Sequence, residues 1–213
     1  MKTDYLIVGS GLAGLSFGAL AAKKGKRVRV LEAHYLPGGY GHTFEMGDKY
    51  RFNAQFHYVW NCGEGATVNK FLRKLDLADE VTFEEYDPDG FDHMRMPGYA
   101  LDIPYDLDVL IQRLAELFPS DADACARFVN EVRRTSDEID ALPTLRQGLT
   151  LLTKLHRFTR VVRYRKATLQ DVFDRFGLPL EAQTLLALQW PDFLLPPKQL
   201  SFFAWVMLFT GYC

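Results

Sequence analysis

The hydrophobic pattern changes period several times along this chain. Tyr5-Leu6-Ile7-Val8 is an unbroken β-prone run, the pattern of a strand covered on both faces. From Leu12 to about Lys24 the spacing becomes helical, with Leu15, Gly18, Ala19 and Ala22 on one face. Gly25 stops that helix, and Lys23 and Lys24 suit the negative end of its dipole. Val28 to Leu31 is again a strand run and ends at the acid Glu32. A β-α-β unit within the first 32 residues is the prediction.

Further along, Thr43–Met46 and Tyr50–Phe52 flank the turn Gly47-Asp48-Lys49 and predict a hairpin. Ala66 to Leu75 reads as a short helix, and Val81–Tyr86 and Met94–Met96 read as strands around the turns Asp87–Gly90 and Pro97-Gly98. Leu107, Leu110, Ile111, Leu114 and Leu117 form the apolar stripe of a helix that Asp106 can cap. After Pro119-Ser120 a second helix runs to about Leu142, with Phe128, Val132 and Ile139 inward, and Pro143 ends it. Asp171–Phe176 and Glu181–Trp190 are further helices, and Leu200 to Phe209 is strongly apolar, suited to a helical core or to lining a hydrophobic tunnel.

The turn between the first strand and helix reads Gly9-Ser10-Gly11-Leu12-Ala13-Gly14. This is G-x-G-x-x-G between a strand and a helix, where each glycine has its own task. Gly9 permits the turn, Gly11 lets backbone approach a pyrophosphate, and Gly14 lets the helix pack on the sheet. The helix start, with Ala13 in its first turn, offers amides to the diphosphate. Glu32, 18 residues beyond Gly14 and followed by Ala33, can accept both ribose hydroxyls of an adenosine and repels a 2′-phosphate.

NAD domains usually pass from the second strand into another helix. Here Pro37-Gly38-Gly39-Tyr40-Gly41-His42-Thr43 follows, a second glycine loop whose amides can reach the pyrophosphate or ribityl chain. That favours FAD. The motifs Glu32-Ala33, Pro37-Gly38-Gly39, His42-Thr43-Phe44 and Phe52-Asn53-Ala54-Gln55-Phe56-His57-Tyr58 resemble the retinol saturase, carotenoid isomerase and phytoene desaturase group of flavoproteins. The resemblance is specific over the front 60 residues and looser to about Phe118. Asn53 and Gln55 stand where that group usually has Asp and Gly.

The resemblance implies an α/β fold. A Rossmann-like FAD-binding domain, its N-terminal part at residues 1–65, carries an inserted, mainly helical domain facing substrate or membrane, at residues 66–213. It implies FAD-dependent chemistry at a C=C bond of a polyene or similar apolar lipid: saturation, desaturation or isomerisation. The cofactor residues would be Gly9, Gly11, Ala13, Gly14, Glu32, Ala33, Gly38, Gly39, His42 and Thr43. Phe56 and His57 would neighbour the flavin, with His57 either a general acid or base or a structural histidine. Members of the group run to twice this length or more and close the flavin site late in the chain. A fragment, or a chain completed by another, is therefore an open alternative, as is an amine-oxidase-like flavoenzyme.

Composition narrows the field further. A net charge of −2 argues against nucleic acid, and 48% hydrophobic residues suffice for a core. Three widely spaced cysteines, Cys62, Cys125 and Cys213, form no CxxC pair, so no metal site is expected and a reducing, cytoplasmic setting fits. Residues 144–168 hold seven basic side chains and no acid. With Leu151, Leu155, Phe158 and Val162 on one stripe, they read either as an amphipathic helix on an anionic membrane surface or as a solvated helix packed on its own core.

Overall fold

The computed structural model describes residues 2–56, 58–142 and 157–211. The chain forms two compact units, Met1–Glu84 and Glu85–Cys213. In the first, β1 (Tyr5–Val8) and β2 (Val28–Leu31) pair in parallel, with Tyr5 opposite Val28 and Val8 opposite Leu31. Helix α1 (Leu12–Lys23) crosses between them. Its small-residue face sets the packing distance: a Cβ on Gly18 would lie 3.1 Å from Ile7 Cδ1 and 3.6 Å from Val28 Cγ1. Parallel strands are usually covered on both faces, yet Leu6 is 60% exposed and Val8 83%.

A one-turn 3₁₀ segment (Gly39–Gly41) leads into the hairpin β3 (Thr43–Met46) and β4 (Tyr50–Asn53), with Thr43 opposite Asn53. Helix α2 (Thr67–Lys74) completes the unit, and Lys23 of α1 pairs with Asp76 just beyond it at 2.5 Å. The expected division at residue 65 therefore differs from the observed one: α2 falls with the nucleotide-type unit rather than with the helices. The strand expected at Val81–Tyr86 does not form. Among the described residues each sheet has only two strands, so this β-prone run has no ladder to join, and Val81, Phe83 and Tyr86 are exposed.

The second unit opens with a hairpin that the sequence only half disclosed. β5 (Asp92–Met96) pairs with β6 (Tyr99–Ile103) around Pro97-Gly98. α3 (Leu107–Leu117) follows, its first turn held by the Asp106 carboxylate, which accepts from the Asp108 amide at 2.7 Å. α4 (Ala122–Asp140), the longest helix among the described residues, packs on α3. α5 (Thr159–Tyr164), α6 (Leu169–Phe176), α7 (Leu180–Ala187), the short α8 (Trp190–Phe193) and α9 (Phe202–Thr210) are the further helices among the described residues. Thr168 and Asp171 form a reciprocal capping box on α6, and Gly177 ends that helix in the left-handed conformation.

The core lies among α3, α4, α6, α7 and α9. Trp205 stacks on Phe209 with ring centres 4.6 Å apart, and Phe128 lies 5.2 Å from Phe173 and 5.8 Å from Trp205. Each such side chain contributes about 1.5–3 kcal/mol by leaving water. The apolar run from Leu200 therefore builds core: Phe202, Trp205, Val206, Leu208 and Phe209 are all buried. The basic stretch divides differently. Residues 143–156, with Leu151 and Leu155 of the expected stripe, lie outside the described part; of the other two, Phe158 just before α5 is buried and Val162 within it is exposed. Arg160 turns inward to Glu131 (3.1 Å) and Glu138 (3.0 Å) of α4.

Candidate functional site

The two glycine segments and the Glu32 carboxylate meet at one place. Gly9 leaves β1 at φ 92°, and α1 begins at Leu12 with Gly11 as its N-cap. Among the described residues no side chain caps that start, and no acid stands in its first turn. The amides there, Ala13 and Gly14 included, keep their partial positive charge for an incoming group. A Cβ on Gly11 would meet nothing within 4 Å, so the space on that side is open. A Cβ on Gly14 would lie 2.4 Å from the Gly9 carbonyl oxygen, so only glycine lets α1 seat this close to β1.

The second glycine loop folds back onto the first. Gly11 and Gly38 are bridged in parallel, and the Gly38 amide donates to the Ser10 carbonyl at 3.1 Å. Gly39, at φ 58°, approaches so closely that its Cβ would stand 2.9 Å from Gly11 Cα. His42 closes the turn, its ring Nδ1 2.6 Å from the Gly39 carbonyl oxygen, and its own carbonyl accepts from the Ala54 amide at 3.0 Å. Thr43 begins β3 beside it. The His34 and His42 rings lie 4.8 Å apart.

Glu32 points into the same crevice. Its Oε2 accepts from the Ser10 amide at 2.7 Å and from the Ser10 hydroxyl at 2.5 Å. Its Oε1 accepts from the His34 amide at 2.8 Å. These donors favour the ionised form, the His34 amide most and the Ser10 hydroxyl next, and the acid is held down at about 2. Ala33, next in the chain, adds a weaker backbone contribution of the same sign. Ser10, only 2% exposed, was not singled out from the sequence.

The remaining residues divide. Phe56 borders a shallow, mainly apolar groove of about 410 Å³ with Tyr58, Val59, Trp60 and Val68. His57 lies outside the described residues. Gln55 is exposed. Among the described residues no cluster of ligating side chains could hold a metal. Cys125 is buried, its thiol pushed up to about 11 by burial, with Asp121 adding to the effect.

The arrangement fits the diphosphate and ribose of a dinucleotide: open backbone amides at a helix start, a carboxylate beside them, and a second amide-rich loop on the other side. Residues 7–75 match the protein-family model described as an NAD(P)-binding Rossmann-like domain. The all-trans-retinol 13,14-reductase of Macaca fascicularis is 28% identical over 228 residues, covering 99% of this chain and 36% of that protein. Prolycopene isomerase 1 of an Oncidium hybrid cultivar is 26% identical over 140 residues, covering 65% of this chain and 24% of its own. A protein of Danio rerio named inactive all-trans-retinol 13,14-reductase is 41% identical over 76 residues, or 35% of this chain and 12% of that one. The chain is thus related, at modest identity, to the retinol saturase and carotenoid isomerase group, and spans 36% of the length of the first of these relatives. It carries a Rossmann-like dinucleotide-binding domain followed by a mainly helical unit.

Proposed function

We propose that this chain is the cofactor-binding front of an FAD-dependent oxidoreductase acting on C=C bonds of a polyene or similar apolar lipid. The observation that carries the reading is the convergence of Glu32, Ser10 and the Gly38-Gly39 loop on the uncapped start of α1. In this reading Gly9, Gly11, Ala13 and Gly14 supply the turn and the amides toward the pyrophosphate. Glu32 and Ala33 face the adenosine ribose, and Gly38, Gly39, His42 and Thr43 form the opposite wall. Bound FAD would supply hydride or electron transfer. The second glycine loop, packed directly on Gly11, favours FAD over NAD. The relatives' names, a retinol reductase and prolycopene isomerases, support the substrate class. A cytoplasmic protein that meets its apolar substrate at a membrane surface fits this chemistry. Among the described residues no helix is long and apolar enough to cross a membrane.

A second reading has its own support: a non-catalytic chain, or one completed by another polypeptide. Leu6 and Val8 stand exposed on a parallel strand, and one relative is named inactive. Flavin absorbance of the purified chain, FAD titration by fluorescence quenching, and turnover of all-trans-retinol or a poly-cis carotene separate the cases. Binding with turnover supports the enzyme, binding without turnover the second reading, and no binding defeats the FAD assignment.

A further inference from the structure

Ser10 engages both its amide and its hydroxyl inside the crevice. Its hydroxyl donates to Glu32 Oε2, and the Gly38 amide approaches the same oxygen at 3.2 Å. The hydroxyl proton goes to Glu32, because the ionised carboxylate can only accept and the Gly38 N–H, shared with the Ser10 carbonyl at 3.1 Å, can only donate. The Ser10 amide donates to the same Oε2. A carboxylate offers about four acceptor directions, two on each oxygen. Ser10 fills both on Oε2, and the His34 amide takes one on Oε1. Ala33 adds only a weaker backbone interaction, so the least occupied direction is on Oε1.

We propose, resting on the dinucleotide reading above, that Ser10 is a positioning residue that makes the Glu32 grip one-sided: Oε2 is spent within the protein, and Oε1 accepts a single ribose hydroxyl. This revises the expectation that Glu32 takes both hydroxyls. The Ser10 hydroxyl also touches the second glycine loop through the Gly38 amide, beside the backbone contacts that already join the two walls.

The test uses ADP, 2′-deoxy-ADP and 3′-deoxy-ADP as competitors against FAD fluorescence, with the unaltered chain, Ser10→Ala and Glu32→Gln. In the unaltered chain one deoxy probe should bind about tenfold more weakly than ADP and the other within about threefold, the size expected for one hydrogen bond to a charged acceptor. Ser10→Ala should shrink the difference between the two probes below about threefold, because a freed Oε2 can then accept the second hydroxyl. A purely structural role for Ser10 would weaken all three probes alike and keep their ratio. Equal losses for both deoxy probes in the unaltered chain, or an unchanged ratio in Ser10→Ala, would overturn the proposal while leaving the dinucleotide site intact. If ADP and FAD bind neither the unaltered chain nor Glu32→Gln, the dinucleotide reading falls and this proposal with it; equal binding by the two chains would take Glu32 off the ribose and overturn this proposal alone. Circular dichroism melting of Ser10→Ala confirms that the comparison is made on folded protein.

Discussion

Gly39 and Gly11 approach so closely that a methyl group on the first would sit 2.9 Å from the Cα of the second. The contact joins two segments 28 residues apart, and neither partner has a flexible side chain that could give way. Gly39 also holds φ 58°, which costs an L-residue about 1–2 kcal/mol. Gly39→Ala should therefore lift the second loop off the first and weaken FAD binding at least tenfold, read by flavin fluorescence titration. Gly47→Ala in the β3–β4 turn is the control. It shares a positive φ of 62° but meets nothing within 4 Å, so it should lose some stability and leave FAD affinity unchanged.

Glu32 carries a definite pH signature. Its acid is lowered from the usual 4.5 to about 2 by the His34 amide first, then by the Ser10 hydroxyl and amide. A depressed carboxylate contributes stability that is fully present above the unfolded value and fades as pH falls toward the folded one. The stability difference between the unaltered chain and Glu32→Gln should thus be constant above about pH 5 and shrink between about 4.5 and 2. Urea midpoints at a series of pH values check this. A difference that stays constant down to pH 2 would mean that the three donors do not favour the ionised carboxylate.

Much of this was legible because physical constraint and residue type coincide in the front half. A glycine where α1 meets β1, β-prone runs on either side of the helix and a terminal acid leave few alternatives, and β1, α1, β2 and the β3–β4 hairpin fall where the pattern puts them. Other features depended on partners that spacing does not name. Val81–Tyr86 is β-prone but finds no strand to pair with, whereas Tyr99–Ile103 pairs fully with Asp92–Met96 although Asp102 interrupts its apolar run. The alternation of Leu101 and Ile103, both buried, was its signal. The basic run around Arg160 suggested a solvated or membrane-facing surface. Its acidic partners Glu131 and Glu138 lie far upstream, seven residues apart and hence on one face of α4. Ser10 was silent because a serine among glycines looks like filler until Glu32 is seen beside it.

Arg160 should prove a stability residue. Glu131 and Glu138 are nearly buried, their side chains 10% and 11% exposed, and the guanidinium sits between them. Tyr164 also donates its hydroxyl to Glu131 at 2.9 Å. Removing the cation leaves two nearly buried carboxylates without their closest counter-charge: Glu138 keeps the amides of residues 160 and 161 at 2.7 and 3.1 Å, and Arg163 stands 3.9 Å from Glu131. Arg160→Met should cost about 3 kcal/mol in urea unfolding. Adding Glu138→Gln should recover part of that loss, since one buried charge is then gone, and the two effects should be non-additive. Simple additivity would show that the groups do not act as one cluster.

Trp205 separates packing from polarity in the second unit. The ring is fully buried between Phe128, Phe202 and Phe209, and among the described residues its indole N–H has no acceptor. Two opposing terms follow. Truncation to alanine opens a large cavity and should cost about 4 kcal/mol. Replacement by phenylalanine opens a smaller one but removes a buried donor whose desolvation costs about 1–3 kcal/mol. Trp205→Phe should therefore lose far less than the difference in ring size implies, about 1 kcal/mol or less, measured by urea unfolding followed by circular dichroism. A loss for Trp205→Phe close to that of Trp205→Ala would mean that the indole N–H is satisfied in solution and that shape alone fixes this position.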